Sequence, residues 1–258
     1  MPNRFSSLGL PRSSVLGACV ALAWLSARSA SADLDFDEAS WRRGARAAES
    51  PQRFAFEIRV GPYTPKIDDE FPVEKPYETV FGTDSRVLFG LELDWQILRI
   101  PRIGSFGPGI GWGYTHMTGK ALKIATNEPS VANTTLGIMP MYGVGVLRVD
   151  VLARETAIPL VGYGKAGIGY GLWWAGNELE VQERGHSWGT QFALGGMLLL
   201  DAFDEHAAIE IDNEWGINNS YFFFEWMSSN LSGFGANANH SVLQVGANTW
   251  TMGLALEM

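Results

Sequence analysis

Eight strand-like apolar runs follow residue 52, and the connections between them go long, short, long, short, long, short, long. A sheet closed by hairpins, with brief turns at one rim and roomy loops at the other, has this layout. It is the layout of barrels that cross a membrane. The spacing therefore predicts an all-β fold, an eight-stranded antiparallel transmembrane β-barrel wound as an up-and-down meander.

The runs themselves carry the strand signal. Run one, residues 53 to 60, sets Phe54, Phe56, Ile58 and Val60 against Arg53, Ala55, Glu57 and Arg59. Run two, 86 to 100, sets Val87, Phe89, Leu91, Leu93, Trp95 and Ile97 against Leu88, Gly90, Glu92, Asp94 and Gln96. A period of two over such lengths marks a strand. Run three (103 to 117) alternates Phe106, Ile110, Trp112 and Tyr114 with Gly107, Gly109, Gly111 and Gly113. Pro108 inside it predicts a bulge or a later strand start, because a closed barrel has no free edge for a missing N–H. Run four (136 to 152) is apolar on both sides in its first half, which suggests a second bulge. Run five covers 160 to 174 and run six 188 to 201. Run seven begins near Ala207 and sets Ile209 and Ile211 against Glu210, Asp212 and Glu214. Run eight is the C-terminus. The short turns fall around Pro101, Arg154 and Phe203, and the last long loop runs from about 217 to 248.

Period two does not by itself say which face meets lipid; the chemistry of the polar face does. That face holds Glu57, Arg59, Glu92, Asp94, Arg148, Asp150, Lys165, Glu210, Asp212 and Glu214, interleaved with glycine. A cation at the lipid midplane costs about 2–4 kcal/mol. Several would exhaust an ordinary stability of about 5–15 kcal/mol. These ten side chains are therefore expected inside, as a barrel-interior charge network in which opposite signs pair. A soluble lipocalin-like barrel would turn the same faces the other way. It would not be expected to carry so much glycine on its wet face. Trp112, Tyr114, Tyr170, Trp174, Trp188, Trp215 and Trp250 fall near the loop-side ends of their runs, as an aromatic girdle at the outer interface would. Trp173 and Trp174 are adjacent, so only one of them can face lipid.

Residues 1 to 32 read as a signal peptide: Arg4 and Arg12, an apolar run from Val15 to Ala27, and small residues at Ala30-Ser31-Ala32. That run is too short to span a bilayer as a helix, which needs about 20 residues. Leu16-Gly17-Ala18-Cys19 offers a lipoprotein reading, although most of the apolar run follows the cysteine. Residues 33 to 52 read as a periplasmic leader and 53 to 258 as the barrel. Cleavage removes Arg4, Arg12 and Arg28, so 16 basic residues face 28 acidic ones, a net charge of −12. No basic patch points to nucleic acid.

The last eight residues, Thr251-Met252-Gly253-Leu254-Ala255-Leu256-Glu257-Met258, resemble the terminal assembly signal of outer-membrane proteins. Thr251, Gly253, Leu256 and Met258 stand at its diagnostic positions, with Leu256 and Met258 where aromatics are usual. The segments VGYGKAGIGYGLWW and TWTMGLALEM resemble small outer-membrane barrels of the OmpA and OmpW type, above all an uncharacterised set seen in myxobacterial-type genomes. The likeness covers about residues 53 to 258 and implies fold and an outer-membrane location, reached by secretion through the inner membrane. It implies outer-membrane lipids, lipopolysaccharide and the barrel-assembly machinery as partners, the last through the C-terminal strand.

No catalytic constellation emerges. His116-Met117-Thr118 has the spacing of a lipid A deacylase pair, with Thr in place of Ser. His186-Ser187 and His240-Ser241 are adjacent and point to opposite faces. Asp84-Ser85 lacks a partner His in the first loop, and Asp68-Asp69-Glu70 reads as a solvated acidic loop. The four His residues (116, 186, 206 and 240) have no metal spacing, and no cofactor is expected. The glycines of GIGWGYTHMTG and GYGKAGIGYG alternate on a strand and precede no helix, so they do not form a phosphate loop. The expectation is a non-enzymatic envelope protein with a side-chain-filled interior and a structural or surface-interacting role. A narrow OmpW-like channel for small or apolar solutes, or a lipid A-modifying enzyme, are the alternatives.

Overall fold

The computed structural model describes residues 53–71, 73–121, 133–156, 158–177, 180–202, 214–235 and 242–258. The signal peptide, the leader, Glu210, Asp212, His206 and His240 lie outside the described residues.

Nine strands build the sheet: β1 (Phe54–Tyr63), β2 (Arg86–Trp95), β3 (Leu98–Ile100), β4 (Gly104–Gly119), β5 (Thr134–Val149), β6 (Leu160–Asn177), β7 (Val181–Leu199), β8 (Asn219–Asn230) and β9 (Asn248–Glu257). Every pairing is antiparallel and follows chain order from β4 to β9. β9 then pairs β1, β1 pairs β2, and β2 pairs β4, which closes the cylinder. β2 and β3 are two pieces of one stave, so the barrel has eight staves in an up-and-down meander. The first and last strands meet at the seam, where Phe54 N donates to Met258 O (2.9 Å) and Met258 N to Phe54 O (2.9 Å). The end that carries Phe54 and Met258 is the lower end, and the opposite end the upper.

The bulge expected at Pro108 lies instead in the neighbouring stave. Pro108 faces Gly145 in a register that runs unbroken from Gly104↔Val149 to Gly119↔Thr134. On its other side, Asp94↔Gly109 and Leu98↔Phe106 differ by one residue of register, which places the irregularity between β2 and β3. The break thus falls beside the residue that has no N–H to offer. Neither does β5 bulge: its register against β6 is constant from Thr134↔Asn177 to Val149↔Gly162.

The seventh stave corrects the sequence reading. It is Asn219–Asn230, taken above as loop; residues 207–213 of the run starting at Ala207 lie outside the described residues. Glu214 is consequently exposed in a helical turn before β8, not inside the barrel. Trp215 beside it is 75% exposed and at the lower end, opposite to where a girdle at the upper rim would need it. The connection from β7 to β8 spans 200 to 218 and is not a short turn. β6 and β7 also run higher than expected, to Asn177 and from Val181.

The alternation of faces is sharp. Outward positions include Ile58, Val60, Phe89, Leu93, Ile110, Ile168, Phe192, Leu194, Phe224 and Leu254, all exposed. Soluble monomers rarely expose apolar surface on this scale. Inward positions hold two apolar clusters and an ionic cluster. At the upper end Tyr63, Leu88, Met117, Leu136, Ile138, Trp173 and Met227 from the staves pack with Ile67, Tyr77, Leu231, Val245 and Ala247 from the loops. Towards the lower end Val161, Tyr163, Met197, Tyr221, Phe223 and Ala255 form the second apolar cluster.

Candidate functional site in the barrel lumen

The polar face of β1 sets Glu57 and Arg59 two residues apart, so both project into the lumen. β2 adds Glu92 and Asp94 by the same rule. Cross-strand register brings the sets together, since Glu57 pairs Glu92 and Ala55 pairs Asp94. β5 contributes Arg148, β6 Lys165, β8 Glu225 and β9 Glu257. All eight side chains are at most 5% exposed.

Three cations organise five carboxylates. Arg59 donates through Nη1 to Glu225 Oε1 (2.8 Å) and through Nη2 to Glu92 Oε2 (2.5 Å) and to Glu57. Arg148 donates through Nη1 to Glu257 Oε1 (2.7 Å), and through Nη2 to Asp94 Oδ2 (2.7 Å) and Glu57 Oε1 (3.1 Å). Lys165 Nζ lies 2.8 Å from Glu57 Oε2, 2.7 Å from Glu92 Oε1 and 3.3 Å from Glu225 Oε2. Glu57 thus touches all three cations. Neutral donors complete the shell: Tyr142 OH to Glu92 Oε2 (2.6 Å), Tyr221 OH to Glu257 Oε2 (2.9 Å) and Gln96 Nε2 to Glu257 Oε1 (2.8 Å). The Arg59 guanidinium also sits 5.5 Å from the Phe223 ring centre, a cation–π contact.

Glycine makes room for this cluster. A Cβ on Gly111 would run into the Tyr142 ring, and one on Gly90 would press on the Arg59 stem at 2.9 Å. Small residues on one stave thus accept long ones from the next, as an eight-stranded interior requires.

A buried ion cluster does not guarantee net stability, because desolvation offsets much of the attraction. Removing one member is a different matter. Arg148→Leu strips three carboxylates of a partner, and its expected cost is about 3–5 kcal/mol. Asp94→Asn removes one of five negative charges facing three positive ones. Asp94 Oδ1 also has no hydrogen-bond partner. This variant is expected to stay within about 1 kcal/mol of the parent, the size of a single net hydrogen bond. Urea unfolding midpoints in lipid vesicles check the contrast. Equal midpoints for the two variants would contradict the cluster's charge balance.

Of the ten residues expected in the interior, Glu57, Arg59, Glu92, Asp94, Arg148 and Lys165 meet in this cluster. Asp150 is a correction: it sits at the lower rim, just past β5, with Arg99 Nη2 2.8 Å from its Oδ2. There the chain has left the strand and entered the short helix Val151–Glu155. Sequence reasoning missed Glu225, hidden in an aromatic run, and Glu257, whose inward parity was visible but whose partners were not. It also missed Tyr142 and Tyr221. Near the lower end Ser220 Oγ donates to Asp201 Oδ1 (2.6 Å), and burial raises that carboxyl above its ordinary range.

Above the ions, described loop residues enter the lumen. Asp68, read in the sequence as part of a solvated acidic stretch, accepts from Tyr77 N (2.7 Å) and Glu78 N (2.9 Å) at the start of the short helix Pro76–Phe81. That cap turns Tyr77 into the apolar cluster. From the last loop Leu231 and Val245 descend over Gly169 and Gly171, where any Cβ would collide with them. Tyr63 OH donates to Val245 O, Ser187 Oγ to Leu243 O (2.7 Å) and Lys66 N to Gly246 O (2.9 Å). Between these loop residues and the ions lies a cavity of about 10 Å³, lined by Arg59, Tyr63, Tyr142, Gln191 and Met227 among others. That is at the threshold for a single water.

Trp112, Tyr114, Tyr170, Trp174, Trp188 and Trp250 take outward positions, while Trp173 points inward. Thr251 is buried with Oγ1 3.4 Å from Glu225 Oε1, Gly253 lies against the β1 backbone, and Leu256 and Met258 lie outward at the seam. His116 and Thr118 share the outward face. Ser187 is turned inward, away from His186.

No protein-family model matches the sequence, and no curated protein does. Among solved structures the chain is similar to Neisserial surface protein A, with a TM-score of 0.44 and 9% identity over 81% of this chain and 98% of that one. It is also similar to the N-terminal β-barrel domain of Pseudomonas aeruginosa OprF (TM-score 0.37, 10% identity, 81% and 100% covered). The Yersinia pestis outer membrane protein Ail gives a TM-score of 0.37 at 12% identity, with 81% and 100% covered.

Proposed function

We propose that the chain is an integral outer-membrane barrel with a structural or surface-interacting role and no through-going pore. The observation that carries this reading is the pairing of an apolar outer wall with a lumen that holds the ionic cluster and, above it, side chains from the loops. Such a wall is costly to leave in water and favourable in hydrocarbon. The ions inside it would be costly anywhere on the lipid face. Export by a signal peptide, the loops facing outward, and recognition of β9 by the assembly machinery belong to the same reading. So does an outer interface marked by Trp112, Tyr114, Tyr170, Trp174, Trp188 and Trp250.

The purified barrel in planar bilayers is expected to show no conductance steps, because the cavity of about 10 Å³ between the ions and the loop residues cannot pass a hydrated ion. Reproducible unitary currents would favour the narrow-channel alternative. Cell fractionation with heat-modifiable gel mobility tests location; a folded product in the aqueous fraction would overturn the reading. Mass spectrometry of lipid A from expressing and deleted strains addresses the enzymatic alternative.

A further inference from the structure

The outer wall is not uniform. Across β4 to β7 the register stacks outward residues in rows. One row reads Trp112, Met141, Tyr170, Trp188, and the row below it reads Ile110, Gly143, Ile168, Thr190. Gly143 is the floor of an open recess of about 720 Å³ in this wall, bordered by Ile110, Trp112, Ile168, Tyr170 and Trp188. Nothing stands within 4 Å of where a Gly143 Cβ would be.

Two rows above Met141 the chemistry changes. Gly137 pairs Trp174, and Trp174 pairs Arg184; His116 completes that row on β4. His186 lies between Arg184 and Trp188 on the same face, with its ring 5.6 Å from that of Tyr170. Arg184, His186, Leu172, Trp174 and Val181 line a second recess of about 620 Å³. Among the described outward positions of the eight staves, Arg184 alone carries a formal charge. It is exposed, and no carboxylate among the described residues pairs with it. Glu183 next to it pairs Ala175 and takes the opposite parity.

A cation on a lipid-facing wall is unfavourable unless it reaches the headgroup layer or an anion in it. Arg184 shares the top aromatic row with Trp174, two rows above Tyr170 and Trp188, which in the membrane reading is the height of the headgroup phosphates. Guanidinium suits phosphate through paired N–H donors, and imidazole adds another donor. The recess below is the shape complement of a hydrocarbon chain. We propose that this face of β4–β7 binds a phosphorylated, acylated lipid of the surrounding leaflet. Its phosphate sits at Arg184 and His186, and one acyl chain lies in the recess over Gly143. The proposal rests on the reading of the barrel as a membrane protein with its long loops outward.

The test uses the full mature protein in nonionic-detergent micelles, with native mass spectrometry reading retained lipid. The probes are a bisphosphorylated lipid A, its dephosphorylated form, and inorganic phosphate as competitor. The wild type is expected to hold one lipid A. Removing the phosphates, or the double change Arg184→Ala with His186→Ala, is expected to weaken retention about tenfold. Gly143→Leu, which fills open space without touching the lumen, is expected to weaken it similarly. Arg99→Ala, at the other rim, is expected to change nothing. Inorganic phosphate at millimolar level is expected not to displace the lipid; displacement would mean a site for free phosphate. Equal retention by the double variant, or of the dephosphorylated lipid, would overturn the site. Insertion into lipid vesicles is scored separately by heat-modifiable mobility. A chain that inserts but shows no selective retention sinks the site alone, and one that never inserts sinks the membrane reading as well.

Discussion

Arg59→Leu is expected to abolish recovery of the folded barrel. The substitution removes one of the two cations shared by Glu57, Glu92 and Glu225 and leaves Lys165, with Arg148 at Glu57, to balance them. Breaking a buried ion pair by deleting one partner costs about 3–5 kcal/mol, and here three contacts go at once. That is comparable with the whole stability of a typical domain, about 5–15 kcal/mol. Loss of the heat-modifiable band after refolding into vesicles is the readout. A companion variant separates charge from packing. Arg59→Leu with Glu225→Gln and Glu92→Gln restores the balance between carboxylates and cations, and should recover part of the folded fraction. If the single and triple variants fold equally badly, packing of the Arg59 stem against Gly90 is what matters, and the electrostatic account fails.

Gly253→Val should be nearly as damaging for a different reason. Gly253 pairs Arg59 across the seam that closes the cylinder, and a Cβ there would overlap the Ile58 carbonyl. Backbone cannot move aside as a side-chain tip can. Overpacking in a tight interior typically costs about 1–3 kcal/mol, occasionally more. At a closing seam the strain also opens hydrogen bonds that hydrocarbon will not replace. The expected result is a barrel whose urea midpoint falls sharply and whose β9 amides exchange with solvent. Gly143→Val, equally bulky but with open space around it, serves as the control and should leave the midpoint unchanged.

Seven of the eight staves were legible because one physical rule governed most of them. Where the lumen is ionic and the wall apolar, the sequence alternates, as it does through Phe54 to Val60 and Val87 to Trp95. β8 broke the rule. Tyr221, Phe222, Phe223 and Phe224 are aromatic on both faces, because this stretch lines the lower apolar cluster inside and the wall outside. The nearby IEIDNEW alternates cleanly and drew the assignment to itself. The plug was illegible for another reason. Tyr77, Leu231 and Val245 reach the lumen from loops, and loops impose no period on their buried residues. The carboxylate partners Glu225 and Glu257 come from staves whose register only the closed sheet reveals. Local pattern identifies a face; which faces meet depends on shear and closure.

The inward-folded loops change where this molecule can vary. Residues such as Tyr77 and Val245 sit in exterior connections by topology, yet each is as constrained as any interior side chain. The freedom to vary that an ordinary surface loop enjoys is therefore closed to these positions. The first and last loops would change slowly, and together.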